Sequence, residues 1–396
     1  MSVSSVVNVS IENLFCIAAA YSEGTAGRVL HEVWRRFEVA LAESSWRCEQ
    51  SAWGVQLHHE VASDAGDHFS DIEAIVHEVA ISPVVIGSVR VMVALGFYQD
   101  RRPVDLLPLP SSSLDAAQYR FDMGTAVLAY SLLRDGEIAF AEQPIVSAAD
   151  GVRVLYNECL LRLSGYDGAV LAPSVYLPSI ERLGLTRTLD RRVVRATILR
   201  LRARPDDVLG CNISGLSVCN DLWWHSIVQE LRECPDIAKR LVLEVTETAS
   251  PPDIEDALSC LTALRQTGCR IALDDFGAGV SSIAFARQLR PHIIKIDGLY
   301  VRETVSLETA EELLSSLVSM SLCLADDVVV EGVEDIAAVA AAKASGAQWL
   351  QGYFTGCPQI PEEPRLRKAS PLLSDKIVAF APRSRAEGRC DGEVLL

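Results

Sequence analysis

Two adjacent aspartates, Asp274 and Asp275, stand at the end of an apolar run and are followed by a glycine-rich segment. Neighbouring carboxylates repel each other unless a cation lies between them, and a divalent metal ion serves that purpose well. Gly277 and Gly279 allow the backbone to turn tightly, as a mobile loop beside a ligand site requires. The segment 271–282 therefore predicts a metal site at the end of a strand.

Similar polar residues recur in other short apolar runs of the second half of the chain. They are Asn212, Glu244, Glu247, Lys295, Asp297, Glu331, Glu334 and Gln351. The stretches between the runs have helix periodicity, at 253–267, 282–289, 308–325 and 335–345. Apolar runs that alternate with helices predict a parallel sheet. One polar residue of this kind is more often a solvated strand end or a paired core group, but the repetition favours the active site of a (β/α)8-type barrel.

These residues resemble, in their order, the EAL family of phosphodiesterases, which hydrolyse the bacterial second messenger cyclic di-GMP. The resemblance runs from about Gln143 to Pro358, essentially a whole domain. It includes Gln143-Pro-Ile-Val146, Glu158-Cys-Leu-Leu-Arg162, Asn212-Ile-Ser214, Glu244-Val-Thr-Glu247, Asp274-Asp275-Phe-Gly, Lys295-Ile-Asp297, Glu331-Gly-Val-Glu334 and Gln351-Gly-Tyr. Cys159 stands where the motif Glu-Ala-Leu has its alanine, and Ala278 and Val280 replace a more usual threonine and tyrosine in the loop.

The resemblance implies a set of oxygen ligands for two divalent cations. The matching positions are Glu158, Asn212, Glu244, Asp274, Asp275 and Glu331. Oxygen ligands suit Mg²⁺ or Mn²⁺ rather than zinc. Two such ions can activate a water and neutralise the charge that develops during in-line attack on a phosphodiester.

The resemblance also implies the catalytic residues, which we expect to be Glu158, Lys295 and Glu247. Lys295 matches a lysine that positions or deprotonates the attacking water. Two dications beside it should lower its pKa, which would favour a role as base. Glu247 matches a glutamate that anchors the glycine-rich loop at 278–282.

Further matches imply contacts with the substrate. Gln143, Arg162 and Gln351 match substrate-binding positions, and a guanidinium at Arg162 could grip a phosphate or a guanine edge. For Asp297 and Glu334, a structural hydrogen-bonding role and a direct contact with the substrate remain alternatives.

The first part of the chain, residues 1–110, predicts a smaller α/β domain. We expect strands at 10–20 and 87–97 and helices at 28–40 and 71–80. This order resembles a GGDEF domain, the diguanylate cyclase fold. The signature position falls near Glu49-Gln-Ser-Ala-Trp53, which lacks the paired glycines and the acidic pair. The resemblance therefore implies a degenerate, non-cyclising regulatory domain, and an unrelated α/β sensory or dimerisation domain is the alternative.

A linker with a connecting helix should occupy 111–138, where 107–114 is rich in Pro and Ser and 116–134 is helix-like. The barrel should occupy 139–362. A tail at 363–396, with mixed charge and scattered Pro, Ser and Gly, is predicted to be poorly ordered.

Composition narrows the function further. A formal charge of −17 argues against bulk nucleic-acid binding, which requires a basic footprint. The 11 cysteines show no CxxC pairing and are predicted to be reduced thiols in a cytoplasmic protein, and no run reaches the roughly 20 apolar residues of a membrane span. The resemblance implies a phosphodiesterase that opens cyclic di-GMP to linear pGpG as a homodimer through the EAL domain. The alternative is a catalytically silent receptor for cyclic di-GMP.

Overall fold

The computed structural model describes residues 4–60, 69–99, 115–135, 138–164, 170–246, 251, 253–278, 283–303 and 309–361. The Pro/Ser-rich segment at 107–114, the loop residues 279–282, Glu247 and the tail beyond 361 lie outside these ranges.

The N-terminal part is a small α/β unit built on a four-stranded antiparallel sheet with the order β2-β3-β1-β6. The strands are β1 (Ser4–Ile11), β2 (Trp46–Gln50), β3 (Gly54–Glu60) and β6 (Leu95–Gln99), and β4 (Val84–Ile86) pairs separately with β5 (Val89–Val91). The helices are α1 (Leu14–Ala20), α2 (Glu23–Leu41) and α3 (Phe69–Ile81). Alternate residues of β1, among them Val7 and Val9, are buried under these helices, as expected for a sheet with one face on a core.

Two of the four elements predicted here are confirmed and two are wrong. The helices expected at 28–40 and 71–80 lie within α2 and α3. The expected strand at 10–20 is instead the end of β1 followed by α1, because Asn13 fixes a turn between them. Its amide donates to Met92 O at 3.1 Å and its Oδ1 accepts from Ala94 N at 3.0 Å. The same contacts hold 92–94 between β5 and β6, so the strand expected at 87–97 is split.

The helix α4 (Ala116–Asp135) occupies the stretch 116–134 that was predicted to be helical, and it contacts both parts of the molecule. Asp115 begins it by accepting from the amide of Ala117 at 2.8 Å, a common N-terminal cap. Toward the first part, Arg120 donates to Ala20 O at 2.6 Å. Toward the second, Tyr130 donates to Leu185 O at 2.6 Å. These contacts hold the smaller unit against the flank of the larger one.

The larger part is a closed barrel of eight strands with helices around it. The strands of the ring are β7 (Ile138–Ser147), β8 (Val154–Ser164), β10 (Leu209–Ser214), β11 (Leu241–Thr246), β12 (Arg270–Phe276), β13 (Ile293–Ile296), β14 (Asp327–Val330) and β15 (Trp349–Leu350), and the short β9 (Val170–Leu171) pairs with the end of β8. The helices are α5 (Pro173–Arg182), α6 (Thr186–Ala203), α7 (Leu222–Glu233), α8 (Pro235–Arg240), α9 (Ile254–Gln266), α10 (Ile283–Leu289), α11 (Gly298–Glu303), α12 (Ala310–Leu322) and α13 (Ile336–Ala344). The four helices predicted from periodicity correspond to α9, α10, α12 and α13.

One strand departs from the predicted parallel arrangement. β7 runs antiparallel to both of its neighbours, β8 and β15, whereas the other strands of the ring pair in parallel. Residues 148–153, which join β7 to β8, are too few for the crossover of a dozen or more residues that a parallel pair requires. The first two strands therefore form a hairpin.

An apolar layer fills the lower half of the barrel. Its residues are Ile145, Tyr156, Val242, Ala272, Ile293, Val329 and Trp349, and each comes from a different strand. The remaining strand, β10, contributes Gly210, where a Cβ would come within 2.5 Å of the Tyr156 ring. This glycine leaves the room that the tyrosine fills. Among the described helices, none is both long and apolar enough to cross a membrane.

Candidate functional site

Each strand of the ring places one polar side chain two residues away from the apolar layer. These residues are Gln143, Glu158, Asn212, Glu244, Asp274, Lys295, Glu331 and Gln351. A step of two returns to the same face of a strand, so all of them point into the barrel. Because β7 is antiparallel to its neighbours, its polar residue lies two positions before the apolar one in the sequence, at Gln143 before Ile145. The layer lies toward the carboxyl ends of the parallel strands, where barrel active sites are found.

Lys295 lies at the centre of this polar layer and is fully buried. Its Nζ is 2.6 Å from Glu244 Oε2 and 2.8 Å from Glu331 Oε1. It is 3.0 Å from Asp274 Oδ1 and 3.3 Å from Glu158 Oε2. One ammonium thus faces four carboxylates, which leaves the layer with an excess of negative charge.

Glu158 is held by amide side chains in addition to the lysine. Asn212 Nδ2 donates to its Oε1 and Gln351 Nε2 donates to its Oε2, each at 2.5 Å. Gln351 Nε2 is also 3.4 Å from Gln143 Oε1, and Gln143 donates in turn to Gly356 O at 3.0 Å. This chain of hydrogen bonds brings together four residues predicted from different motifs.

The backbone turns sharply at Asp275, and this turn brings two consecutive carboxylates to one site. Asp275 has a left-handed backbone with φ of 56°, which is uncommon for a residue with a side chain. The register between β12 and β13 shifts at the same place. In a regular strand Asp274 and Asp275 would point to opposite faces, but here carboxylate oxygens of both lie within 4.8 Å of one of Glu331.

Tyr300, which the sequence analysis did not single out, supports this turn. Its hydroxyl donates to Gly277 O at 2.5 Å. A Cβ on Gly277, which has φ of 95°, would lie 2.9 Å from the Tyr300 ring. The glycine is therefore needed both for the backbone conformation and for the close approach of the ring. Nothing in the local sequence connects Tyr300 with a glycine 23 residues earlier.

The pKa values reflect the concentration of buried charge. Burial alone lowers the pKa of Lys295, but the four surrounding carboxylates outweigh it and hold that pKa well above its usual range. Burial also raises the pKa of Glu244 and Glu331 well above their usual range. The lowered pKa that we predicted for Lys295 applies to a site in which cations offset the carboxylates, so it stays a prediction.

The pKa values of Glu158 and Asp275 are shifted in opposite directions. Burial acts to raise the pKa of Glu158, yet Lys295 and the donated hydrogen bonds of Gln351 and Asn212 hold it below its usual range. Burial, followed by the charge of Asp274, raises the pKa of Asp275 to about 6. A divalent cation would relieve the repulsion that raises these carboxyl pKa values.

Two groups of carboxylates are arranged so that they could hold metal ions. The first comprises Glu158, Glu244 and Asp274, and the second comprises Asp274, Asp275 and Glu331, with oxygens within 4.8 Å of one another in each group. Within the part of the chain that the structure describes, Asn212 Oδ1 and Glu244 Oε1 are buried and accept no hydrogen bond. Buried oxygens without a donor are costly, and a cation would satisfy them. The residues present thus fit a divalent metal site with oxygen ligands.

A cleft of about 310 Å³ opens from this layer to the surface. Gln143, Glu158, Glu331 and Gln351 line its inner part, and Asp297 and Glu334 line it farther out. Asp297 also accepts from the amide of Leu299 at 2.5 Å, so it has the structural role that we considered and also faces the cleft.

The structure does not bring Arg162 to this cleft. Its Nη1 donates to the carbonyl of Leu161 on its own strand at 3.0 Å, and it is not among the described residues that line the cleft. A different arginine, Arg302, lines it instead. Sequence reasoning missed Arg302 because it lies in α11, beyond the strand end on which the motif was recognised. The predicted role of Glu247 concerns a residue outside the described ranges.

Comparison with known proteins identifies related sequences. The EAL domain family model matches residues 128–358. "Cyclic di-GMP phosphodiesterase PdeF" of Escherichia coli (strain K12) is 31% identical over 221 residues, which is 55% of this chain and 29% of that protein. "Cyclic di-GMP phosphodiesterase NbdA" of Pseudomonas aeruginosa is 30% identical over 237 residues, 57% of this chain and 29% of that protein. This chain therefore spans less than a third of the length of either relative.

Solved structures share the fold. The structure "PaMucR Phosphodiesterase, c-di-GMP complex" is 27% identical, has a TM-score of 0.52, and matches 59% of this chain and 96% of that chain. "Vibrio cholerae LapD S helix-GGDEF-EAL (bound to c-di-GMP)" matches 89% of both chains with a TM-score of 0.54, at 16% identity, which concerns the fold alone. The family model covers more than half of the chain, and the barrel with its acidic layer agrees with it: this protein belongs to the EAL domain family.

Proposed function

We propose that this protein is a metal-dependent phosphodiesterase that hydrolyses cyclic di-GMP to linear pGpG. The observation that carries the proposal is the position of Asp274, which belongs to two adjacent groups of carboxylates around a buried lysine. A carboxylate shared between two groups suits a pair of neighbouring divalent ions. Relatives named as cyclic di-GMP phosphodiesterases support the choice of substrate.

The proposed ligands fall into two overlapping sets. Glu158, Asn212 and Glu244 would hold one Mg²⁺ or Mn²⁺ ion, Asp275 and Glu331 the other, and Asp274 would contact both. Bound there, the ions would activate a water and neutralise charge on the phosphodiester. The hydrogen bonds from Asn212 and Gln351 already orient the carboxylate of Glu158. The carboxylate would therefore need little reorganisation to bind a metal ion.

Lys295 is proposed to position the water and to take its proton. While the carboxylates are free, they hold Lys295 in its charged form. Its use as a base therefore depends on cations that offset those carboxylates and lower its pKa. The burial of Lys295 supports this role, because the pKa of a buried lysine responds strongly to changes in nearby charge.

Substrate contacts are proposed for Gln143, Gln351, Asp297 and Glu334, all of which line the cleft. For Arg162, the resemblance to the family is the support, and the hydrogen bond to Leu161 O would have to break first. Glu247 remains the proposed anchor of the glycine-rich loop.

We also propose that the N-terminal part regulates the barrel, in a cytoplasmic homodimer formed through the EAL domain. Support for regulation comes from the packing of the N-terminal part on α6, where Arg187 Nη1 lies 2.8 Å from Glu12 Oε1 and Arg195 Nη2 lies 2.9 Å from Glu73 Oε1. Deleting residues 1–110 should change the rate or the oligomeric state but not the product. An unchanged rate together with an unchanged mass by light scattering would remove the case for regulation.

The primary test is to incubate the purified protein with cyclic di-GMP in Mg²⁺, Mn²⁺ or Ca²⁺ and to follow the nucleotides by chromatography. Appearance of pGpG with Mg²⁺ or Mn²⁺ would support the proposal. Intact cyclic di-GMP throughout, combined with binding by calorimetry, would favour the alternative of a catalytically silent receptor.

A further inference from the structure

We propose that Arg302 reads a guanine base of the substrate and thereby selects cyclic di-GMP over cyclic di-AMP. The inference rests on the proposed function, because it assigns a residue to the same cleft. It goes beyond the motifs that define the site, none of which includes Arg302.

The first observation is the charge of the cleft. Its lining includes the carboxylates of Glu158, Asp297, Glu331 and Glu334, whereas Arg302 is the guanidinium among the described residues that line it. The inner carboxylates face Lys295 or belong to the proposed metal sites. Arg302 lies beside Asp297, one of the outer carboxylates, where the rest of a dinucleotide would extend.

The second observation is the surface that supports the guanidinium. Arg302 Nη1 lies 2.8 Å from the position of a Cβ on Gly298 and 2.9 Å from that on Gly332. The backbones of these two glycines approach each other so closely that a Cβ on Gly332 would be 2.7 Å from Gly298 Cα. The guanidinium therefore rests on a floor of bare peptide backbone that no side chain could share. Its other face is open, with 55% of the side chain exposed.

The third observation is the distance to the neighbouring acid. Arg302 Nη2 lies 3.9 Å from Asp297 Oδ1, which is too long for a hydrogen bond. The two groups lie side by side, and Asp297 is held in place by the hydrogen bond from Leu299 N. The guanidinium and the carboxylate thus lie next to each other in the lining of the same cleft.

This pair matches the edges of guanine. The O6 and N7 atoms of guanine accept two hydrogen bonds from an arginine, and the adjacent N1–H and N2–H groups donate to a carboxylate. Adenine has an amino donor in place of O6 and an acceptor at N1. Its amino group would therefore face the donors of Arg302, and its N1 would face the carboxylate of Asp297. An arginine supported by backbone on one face and placed beside a carboxylate therefore favours guanine and rejects adenine.

The test compares cyclic di-GMP with cyclic di-AMP for the wild-type protein and for Arg302→Ala, Arg302→Lys and the control Arg232→Ala, whose side chain is exposed on α7. Steady-state hydrolysis gives kcat and KM, and calorimetry in Ca²⁺ gives the affinity for each dinucleotide. Arg302→Ala should raise KM for cyclic di-GMP by roughly tenfold or more and leave kcat within about twofold, because a base contact lies away from the scissile bond. Arg302→Lys should recover little, since an ammonium cannot donate in a bidentate manner.

The affinity for cyclic di-AMP decides between a base and a phosphate contact. If Arg302 contacts a base, Arg302→Ala should lower the affinity for cyclic di-GMP and leave the affinity for cyclic di-AMP unchanged. The ratio of the two affinities should then be smaller than in the wild-type protein. An equal loss of affinity for both dinucleotides would mean that Arg302 binds a phosphate. An unchanged KM and an unchanged affinity would mean that Arg302 contacts neither a base nor a phosphate. Each of these results overturns the inference. If the wild-type protein binds but does not hydrolyse cyclic di-GMP, the proposed enzyme fails while the affinities still test Arg302. If it binds neither dinucleotide, both proposals are wrong.

Discussion

Lys295 Nζ lies 2.6 Å from Glu244 Oε2, and neither side chain reaches solvent. The same ammonium contacts three further carboxylates. A buried charge is stable only when it is paired, so the lysine is part of what allows these acids to be buried together. The geometry therefore gives Lys295 a structural role in addition to its proposed role as base.

Replacing Lys295 by alanine should lower kcat by about 10²- to 10⁴-fold, the range for loss of a general base. It should also leave four carboxylates without their cation, so that the melting temperature of the variant rises more with added Mg²⁺ than that of the wild type. Activity assays and thermal melts with and without Mg²⁺ measure both effects. The exposed Lys343→Ala is the matched control. Retained hydrolysis by a folded Lys295→Ala would contradict the proposed base.

Glu158→Gln should abolish turnover and leave the barrel folded. The substitution keeps the shape of the side chain, but it removes a ligand charge and turns an amide donor toward the donors of Asn212 and Gln351. Turnover assays and circular dichroism separate the loss of activity from a loss of folding. Glu311→Gln, on the exposed side of α12, controls for the general effect of removing an acid. Turnover comparable with that of the control would show that Glu158 is not a ligand.

Tyr300→Phe should raise the Mn²⁺ concentration for half-maximal activity severalfold. The change removes only the hydroxyl that donates to Gly277 O, and one hydrogen bond contributes about 0.5–1.5 kcal/mol. Without it, the turn that orients Asp275 should be less strongly held. Metal titrations of activity test this, with Tyr21→Phe in the N-terminal part as the control. The same half-saturation in wild type and variant would rule out the positioning role.

Asp190 should make the protein less stable as the pH rises from about 4 to about 7. Its carboxylate, buried in α6, accepts from Ser214 N at 2.9 Å and from Ser217 Oγ at 2.5 Å, yet burial raises its pKa to about 7. The folded protein holds a proton that the unfolded chain releases near its usual pKa, so the free energy of unfolding falls through this window and levels off above it. Asp190→Asn should remove this part of the pH dependence. Chemical unfolding at pH 4.5, 6 and 7.5 measures it, and an identical slope in the variant would contradict the assignment.

Much of the site can be predicted from the sequence because strand periodicity is local. A polar residue that ends a buried apolar run projects to the same side as the apolar residue two positions before it, whatever the rest of the chain does. Glu158, Glu244, Lys295 and Gln351 follow this rule, and the helices between the runs have equally local signals at their ends, such as the Asp253 that caps α9.

Other features depend on which parts of the chain meet. Asn13 turns the chain into α1 because its amide donates to Met92 O and accepts from Ala94 N. An apolar run whose sequence fits a strand equally well therefore forms a helix. Arg162, which the family resemblance placed in the substrate site, donates to its own strand. Arg302, which no motif marks, lies over Gly298 of its own helix and over Gly332, which follows a different strand.

By itself, the sequence determined which residues face the inside of the barrel, their charge, and the chemistry that such a set of oxygens favours. Only the tertiary structure decided that Asp275 turns back to join Asp274, that one lysine lies among four carboxylates, and that Arg302 rather than Arg162 lines the cleft. The physical reason is the range of the forces: side-chain direction repeats every two residues along a strand, whereas closure of the ring, backbone contact between distant glycines and the pairing of buried charges arise between segments far apart in the chain.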